Sequence, residues 1–381
     1  MCKKYSAVSL FSGAGGLDIG LEKAGVDIVI GQDFDKACVD TLIANGKNVL
    51  SGDIRDIEPQ QILDMTGLKQ YEPFLICGGP PCQPFSTAGK RMGINDPRGS
   101  LFMDFIRMID YIRPRFFIME NVKGIMSAPL KDEAGQRLPG TVLEVILSEF
   151  DKLGYKTVYG LLDAVNYGAP QFRERFILIG SRDQEDVFLP IPTHFQKHQR
   201  PEYRWRTLRQ ALEGIDKEND ECASLSPERI RYLRMVPEGG NWRNLPEDVV
   251  EEAMGGAYKS GGGKVGFYRR LSFDQPSPTV VTSPVQKATM MCHPTEDRPL
   301  SVKEYSRIQQ FPDDWTFTGT TASKYRQIGN AVPVSLAQAI GEAVIATAEK
   351  TAIVQTKRIR GTNVHNKIKE ALEIGGSDHV K

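Results

Sequence analysis

The segment best equipped for chemistry is Gly78-Gly79-Pro80-Pro81-Cys82-Gln83-Pro84-Phe85-Ser86. Two glycines and two prolines ahead of the thiol fix the backbone, a costly way to hold a cysteine that only packs, so Cys82 reads as a positioned nucleophile. A carboxyl group stands in Glu120-Asn121-Val122, at the end of an apolar run. Further on, Gln171-Phe172-Arg173-Glu174-Arg175 sets Arg173 and Arg175 on one side of an extended chain. Two guanidinium groups there suit a phosphate or a base oxygen and favour a thiolate. The remaining cysteines, Cys2, Cys38, Cys77, Cys222 and Cys292, form no Cys-x-x-Cys pair. No Cys/His set has metal-ligand spacing, so no metal is expected, and Cys38 and Cys77 read as packing residues.

A second group of residues has the makings of a nucleoside site. The turn Phe11-Ser12-Gly13-Ala14-Gly15-Gly16 follows a β-rich run, and its glycines permit positive φ and close approach of a ligand. The next run ends in Asp33-Phe34, an acid suited to ribose hydroxyls beside a ring that can stack on adenine. A third ends in Gly52-Asp53-Ile54, an acid able to accept from an adenine amino group. Either aspartate alone reads equally well as a helix cap or turn residue; three successive strand ends make the series. At this level a nicotinamide cofactor and S-adenosylmethionine are both compatible.

These groups need a scaffold that brings strand ends together. Residues 7–11, 27–33, 48–54, 74–79 and 115–121 read as strands, 141–154 as a helix closed by Gly154, and 155–164 and 175–181 as two further strands. Alternation of strands and helices predicts an α/β fold with a doubly wound, mostly parallel sheet. Adjacent strand ends about 5 Å apart would put the thiol and the carboxyl of Glu120 across one cleft. From about residue 187 prolines and glycine clusters replace the alternation, which predicts a second, smaller, irregular domain. Helical periodicity returns at 301–311 and 332–350. The expected organisation is a catalytic and cofactor-binding domain over 1–186, an irregular unit over 187–297, a linking segment and helix over 298–350 that return to the first domain, and a polar extension over 351–381.

The 381 residues carry 48 Lys+Arg against 48 Asp+Glu, with 40% hydrophobic and 25% charged content. That is a globular composition with no global basic field, so any nucleic-acid contact must come from local patches. No continuous apolar run of about 18 residues and no signal-peptide pattern occurs, so a soluble cytoplasmic protein with reduced thiols and no membrane contact is expected.

Taken in order, FSGAGGLDIG, Asp33, GDI, GGPPCQPFS, DPRGSLF (96–102), ENV, QFRERFILIG, RPLSVKEYSRIQQFPDDW (298–315) and QIGNAVP (327–333) resemble the DNA (cytosine-5-)-methyltransferase family of the bacterial restriction–modification type, over nearly the whole chain. The resemblance implies the S-adenosylmethionine-dependent methyltransferase fold and that methyl donor. It implies cofactor contacts at Phe11, Gly13, Ala14, Gly15, Gly16, Asp33, Phe34, Asp53, Ile54, Pro81, Leu101 and Asn330. The family usually has Glu at position 33 and often Trp at 34. It further implies that the Cys82 thiolate adds to carbon 6 of a cytosine, that Glu120 donates to nitrogen 3, and that Arg173 and Arg175 hold the ring oxygen and the nucleotide backbone. The cytosine must leave the duplex to be reached, with Gln83 and Ser86 beside it or the gap it leaves.

The stretch 187–297 matches the family's variable target-recognition region. Its expected DNA contacts are Arg204, Arg206 and Arg209, among Tyr203 and Trp205, and Lys259, Lys264, Arg269 and Arg270, near glycine-rich loops. The resemblance implies double-stranded DNA as partner, a monomer, and a cognate restriction endonuclease sharing the site without an obligate complex. A tRNA cytosine-5 methyltransferase on the same scaffold is the alternative. A nicotinamide dehydrogenase would leave Pro81-Cys82-Gln83 unexplained, and a catalytically silent DNA-binding relative would leave the intact nucleophile, acid and arginine pair so.

Overall fold

The computed structural model describes residues 5–81, 101–131, 137–216, 220–259 and 265–350. Cys82, Gln83, Ser86, Lys264 and the extension 351–381 lie outside the described residues.

The chain begins with β1 (Ser6–Leu10), α1 (Gly16–Lys23), β2 (Asp27–Asp33), α2 (Lys36–Ala44), β3 (Val49–Ser51), α3 (Pro59–Thr66) and β4 (Leu75–Gly78). There follow α4 (Leu101–Ile112), β5 (Phe116–Asn121), a hairpin of β6 (Pro129–Lys131) and β7 (Arg137–Thr141), α5 (Val142–Lys152), β8 (Lys156–Asp163) and β9 (Glu174–Ser181). Seven strands form one sheet in the order β3-β2-β1-β4-β5-β9-β8. The first five are parallel; β9 runs antiparallel to β5, and β8 antiparallel to β9. This is the expected doubly wound, mostly parallel sheet, with β9 alone running against the other six strands. The antiparallel sense of β9 decides the site, because it delivers the start of β9 to the carboxyl end of β5, with Glu120 opposite Ile177 and Asn121 opposite Phe176.

The strands are apolar on both faces, as strands covered by helices on each side must be. Val8, Leu10, Ile76, Phe117 and Met119 face a core shared with α3, α4 and α5. Their neighbours Ala7, Leu75, Cys77, Phe116 and Ile118 face the opposite core, shared with α1 and a C-terminal helix. The period of two sorts the residues, and α5 starts where Thr141 and Glu144 form a reciprocal capping box.

Between β9 and residue 300 the described residues hold only short helices, α6 (Leu208–Leu212), α7 (Pro227–Leu233) and α8 (Glu247–Met254), with single-turn segments and isolated bridges. Tyr232, Leu233, Val236, Met254, Tyr268, Met290 and Cys292 form a core of their own there. The chain then runs through α9 (Val302–Gln309), α10 (Thr321–Asn330) and α11 (Val334–Glu349). The stretch Thr321–Glu349 contains an 18-residue window apolar enough to cross a membrane, but it is broken at 331–333 and more than half of that window is buried. α11 packs against α1 and the sheet, so its apolar character serves the core.

Candidate active site

β4 and β5 are adjacent and parallel, with Gly78 paired to Met119. The residues that follow each strand therefore meet. Asn121 donates from Nδ2 to the Pro80 carbonyl at 2.8 Å, while its Oδ1 accepts from Val122 N. Asn121 thus ties down the turn that leads to the thiol, on the neighbouring strand. Gly79 is the close-approach residue: a Cβ there would lie 2.8 Å from Glu120 Oε2, so a larger residue would push the carboxylate out of its present position.

Glu120 and Arg175 form an ion pair, Nε to Oε1 2.7 Å, with both side chains nearly nine-tenths buried. Burial pushes the Glu120 carboxyl above the ordinary glutamate range, and Arg175 and then Arg173 pull it back. Burial likewise lowers Arg175, opposed by Glu120. The net direction is upward, so the neutral, proton-donating form persists to higher pH than in a free glutamate. An open cleft of about 390 Å³ adjoins the pair and is lined by Val122, Lys123, Phe172, Arg175 and Thr279 among others.

Arg173 needs correction. Its side chain is 1% exposed, with Nη1 donating to the Val280 carbonyl at 2.8 Å and Nη2 to the Gly329 carbonyl at 2.7 Å. Two residues of separation set both arginines on one strand side, but their guanidinium groups serve different partners. Arg175 faces the cleft; Arg173 clamps the segment around 280 and the end of α10 to the sheet. Its charged hydrogen bonds are each worth about 1.5–3 kcal/mol. Arg173→Met should therefore lower stability by about 3 kcal/mol or more in urea denaturation, whereas an exposed nucleotide contact would leave the midpoint unchanged.

At the same carboxyl edge of the sheet, where β1 ends beside β4, Gly13 and Gly15 adopt left-handed φ of 56° and 85°, as the tight turn demands, and Gly13 has open space above it. Ala14 and Gly16 are buried beneath the turn. Phe11, though not glycine, also has positive φ, 54°. Gln32 supports it, accepting from Phe11 N through Oε1 at 3.3 Å and donating from Nε2 to the Gly52 carbonyl at 2.7 Å. Gln32 thereby ties three strand ends together, and sequence reasoning missed it because an amide inside a strand has no motif of its own. Asp33 accepts from Gly13 N and Asp35 N, both at 2.8 Å. Asp53 accepts from the backbone and side chain of Arg55, which hold its carboxyl below the usual range. Both acids thus act as turn caps as well as standing at their strand ends. Phe34 is 67% exposed beside them, Ile54 is buried, Pro81 and Leu101 are half-buried, and Asn330 is exposed at the end of α10. An exposed ring next to the aspartate that caps an open glycine turn suits a purine nucleoside.

The basic residues expected to read DNA separate into two kinds. Arg204, Arg206, Arg209 and Lys259 are exposed, although Arg204 donates to the His198 carbonyl, Arg209 pairs with Asp274 at 2.9 Å and Lys259 pairs with Glu251 at 3.1 Å. Arg269 is half-buried, with Nε on the Met290 carbonyl. Arg270 is a second correction: it is 5% exposed and its guanidinium holds the carbonyls of Val236, Leu233, His293 and Glu296 together with Asp297. Adjacent arginines in one glycine-rich stretch look alike in sequence, but here one is a core bracket.

A model of C-5 cytosine-specific DNA methylases matches residues 5–346. The chain is 43% identical over 351 residues to the Type II methyltransferase M.PspPI of Psychrobacter sp. (strain TA137), covering 90% of this chain and 79% of that protein. It is 39% identical over 347 residues to the Type II methyltransferase M.Sau96I of Staphylococcus aureus, covering 90% and 76%. Among solved structures, the fold is similar to that of a candidate DNA modification methyltransferase encoded within a prophage of E. coli, with a TM-score of 0.64, 22% identity, and 91% and 100% of the two chains covered.

Proposed function

The chain belongs to the C-5 cytosine-specific DNA methylases and is a methyltransferase of the Type II restriction–modification kind; on that premise we propose that it methylates carbon 5 of a cytosine flipped out of duplex DNA, through a covalent adduct at Cys82. The proposed methyl donor is S-adenosylmethionine, held by the glycine turn 11–16, Asp33, Phe34, Asp53, Ile54, Pro81, Leu101 and Asn330. When bound it supplies an electrophilic sulfonium methyl group to carbon 5.

The chain's own residues do the rest. The Cys82 thiolate adds to carbon 6, which converts a poor carbon nucleophile into an enamine. Charge that would build up on the ring is relieved at nitrogen 3 by the proton of Glu120, and Arg175 holds the ring oxygen while fixing the carboxyl group. After alkylation a base takes the hydrogen from carbon 5, the electron pair re-forms the 5,6 double bond, and the thiolate leaves. Asn121 anchors Pro80, two residues before Cys82 in the chain, to the strand end that bears Glu120. The Glu120–Arg175 pair, at 2.7 Å beside a glycine that admits the carboxylate, is the observation that carries the reading.

The proposed setting is a cytoplasmic monomer that protects DNA from an endonuclease of the same specificity, the two acting separately. DNA contact is assigned to Gln83 and Ser86 near the nucleophile and to Arg204, Arg206, Arg209, Lys259, Lys264 and Arg269 on the irregular segment. With a labelled methyl donor, incorporation is expected into duplex DNA and not into tRNA, and bisulfite sequencing of DNA from expressing cells should read out one short sequence. Incorporation into tRNA alone would overturn the DNA assignment.

A further inference from the structure

Phe172 stands between two buried anchors and is itself exposed. Gln171, fully buried, donates to the Ile308 carbonyl and Gln309 Oε1 and accepts from Val280 N, while Arg173 clamps Val280 and Gly329. The backbone of Phe172 is bonded on both sides, N to the Ser277 carbonyl at 2.9 Å and its own carbonyl to Thr279 Oγ1 at 2.6 Å. The extended chain therefore sends its ring outward, 38% exposed, into the cleft that Arg175 also lines. There it meets Trp205 edge-on, centroids 5.3 Å apart at 86°, and the Trp205 indole is fixed by a 3.0 Å bond to Asn166 Oδ1. Exposed Arg204 and Arg206 flank that tryptophan in the chain.

An apolar ring left partly in water costs stability unless something covers it in use. A ring this firmly held, lining a cleft with cations nearby, has the make-up of a surface on which a nucleic-acid base stacks. We propose that Phe172 is a stacking platform for a DNA base of the methylated strand in the cleft that Arg175 lines, braced by Trp205. This rests on DNA being the substrate. The platform is apolar and aromatic, so it contributes to DNA affinity independently of salt, whereas the flanking arginines act through phosphates.

The test uses the full chain and duplex carrying the site found by bisulfite sequencing, with initial rates measured against DNA and against methyl donor. Phe172→Ala and Phe172→Leu should both raise KM for DNA roughly 5- to 100-fold, the range for loss of one stacked base. Phe172→Trp should keep the wild-type value, and KM for the donor and the salt slope of DNA binding should not move. Equal KM for Phe172→Leu and wild type would overturn the platform, because packing alone would then suffice. A loss of kcat with unchanged KM for DNA would also overturn it, since the ring would then serve the protein's own chain. If Phe172→Ala melts before assay temperature, the Leu and Trp variants decide. Wild-type protein that methylates no DNA would instead sink the functional reading itself.

Discussion

Cys82→Ser is expected to abolish methyl transfer, by about 10⁴- to 10⁶-fold, the scale on which removing a covalent nucleophile acts. A serine hydroxyl at neutral pH is almost wholly protonated and is a far weaker nucleophile than a thiolate, so carbon 6 is not attacked and carbon 5 stays a poor nucleophile. The measurement that separates loss of nucleophile from loss of fold is covalent trapping. With 5-fluorocytosine in the duplex and the methyl donor present, wild-type protein should form an adduct that survives denaturation, because fluorine at carbon 5 cannot leave as a cation and the thiolate cannot be expelled. Cys82→Ser should form none while still binding the same duplex. Full activity in Cys82→Ser would sink the covalent mechanism.

Glu120→Gln is expected to lower kcat by about 10²- to 10⁴-fold, the usual contribution of a positioned general acid. The amide keeps the shape of the carboxyl group but cannot deliver and recover a proton at nitrogen 3. Burial has raised the carboxyl's pKa, so the donor form persists to higher pH than for a free glutamate. The wild-type rate should therefore fall as pH rises through that raised value, and the fall should disappear in Glu120→Gln. Stability carries the same sign. The contribution of a group whose folded-state pKa is raised is fully present below the unfolded value and is lost as pH rises through the folded one. Chemical denaturation at stepped pH should show this dependence in wild type and lose it in the variant. A variant with wild-type kcat at every pH would remove Glu120 from the chemistry.

Both predictions act on a candidate site whose scaffold was largely legible in the sequence. Strand ends are marked by composition: β4 runs into Gly78-Gly79-Pro80-Pro81 and β5 into Glu120-Asn121, and a parallel sheet leaves little freedom in where neighbouring ends go. The glycine turn, Asp33-Phe34 and Asp53-Ile54 follow the same logic. Gln32 and Asn121 were harder. Their work is done through hydrogen bonds that their side-chain amides donate to the carbonyls of Gly52 and Pro80, just past the ends of other strands, and no local spacing encodes which carbonyl an amide will meet.

The arginines mark where sequence stopped. Arg173 and Arg175 share a strand face, and Arg269 and Arg270 are adjacent, yet Arg173 and Arg270 spend their donors on sets of distant backbone carbonyls, whereas Arg175 pairs with Glu120 and Arg269 is only half-buried. A guanidinium carries five donors that suit a phosphate, a carboxylate or a set of backbone carbonyls equally well, so residue type alone leaves the partner open. By itself the sequence determined the mostly parallel sheet and the strand ends at which the candidate nucleophile and acid stand, because periodicity and glycine–proline turns are local properties. Only the tertiary structure decided that β9 is antiparallel, that Arg175 rather than Arg173 meets Glu120, and that Phe172 is turned into the cleft. Those outcomes depend on which distant carbonyls, at Val280, Gly329 and Ser277, arrive beside the strand, and that is a matter of long-range packing.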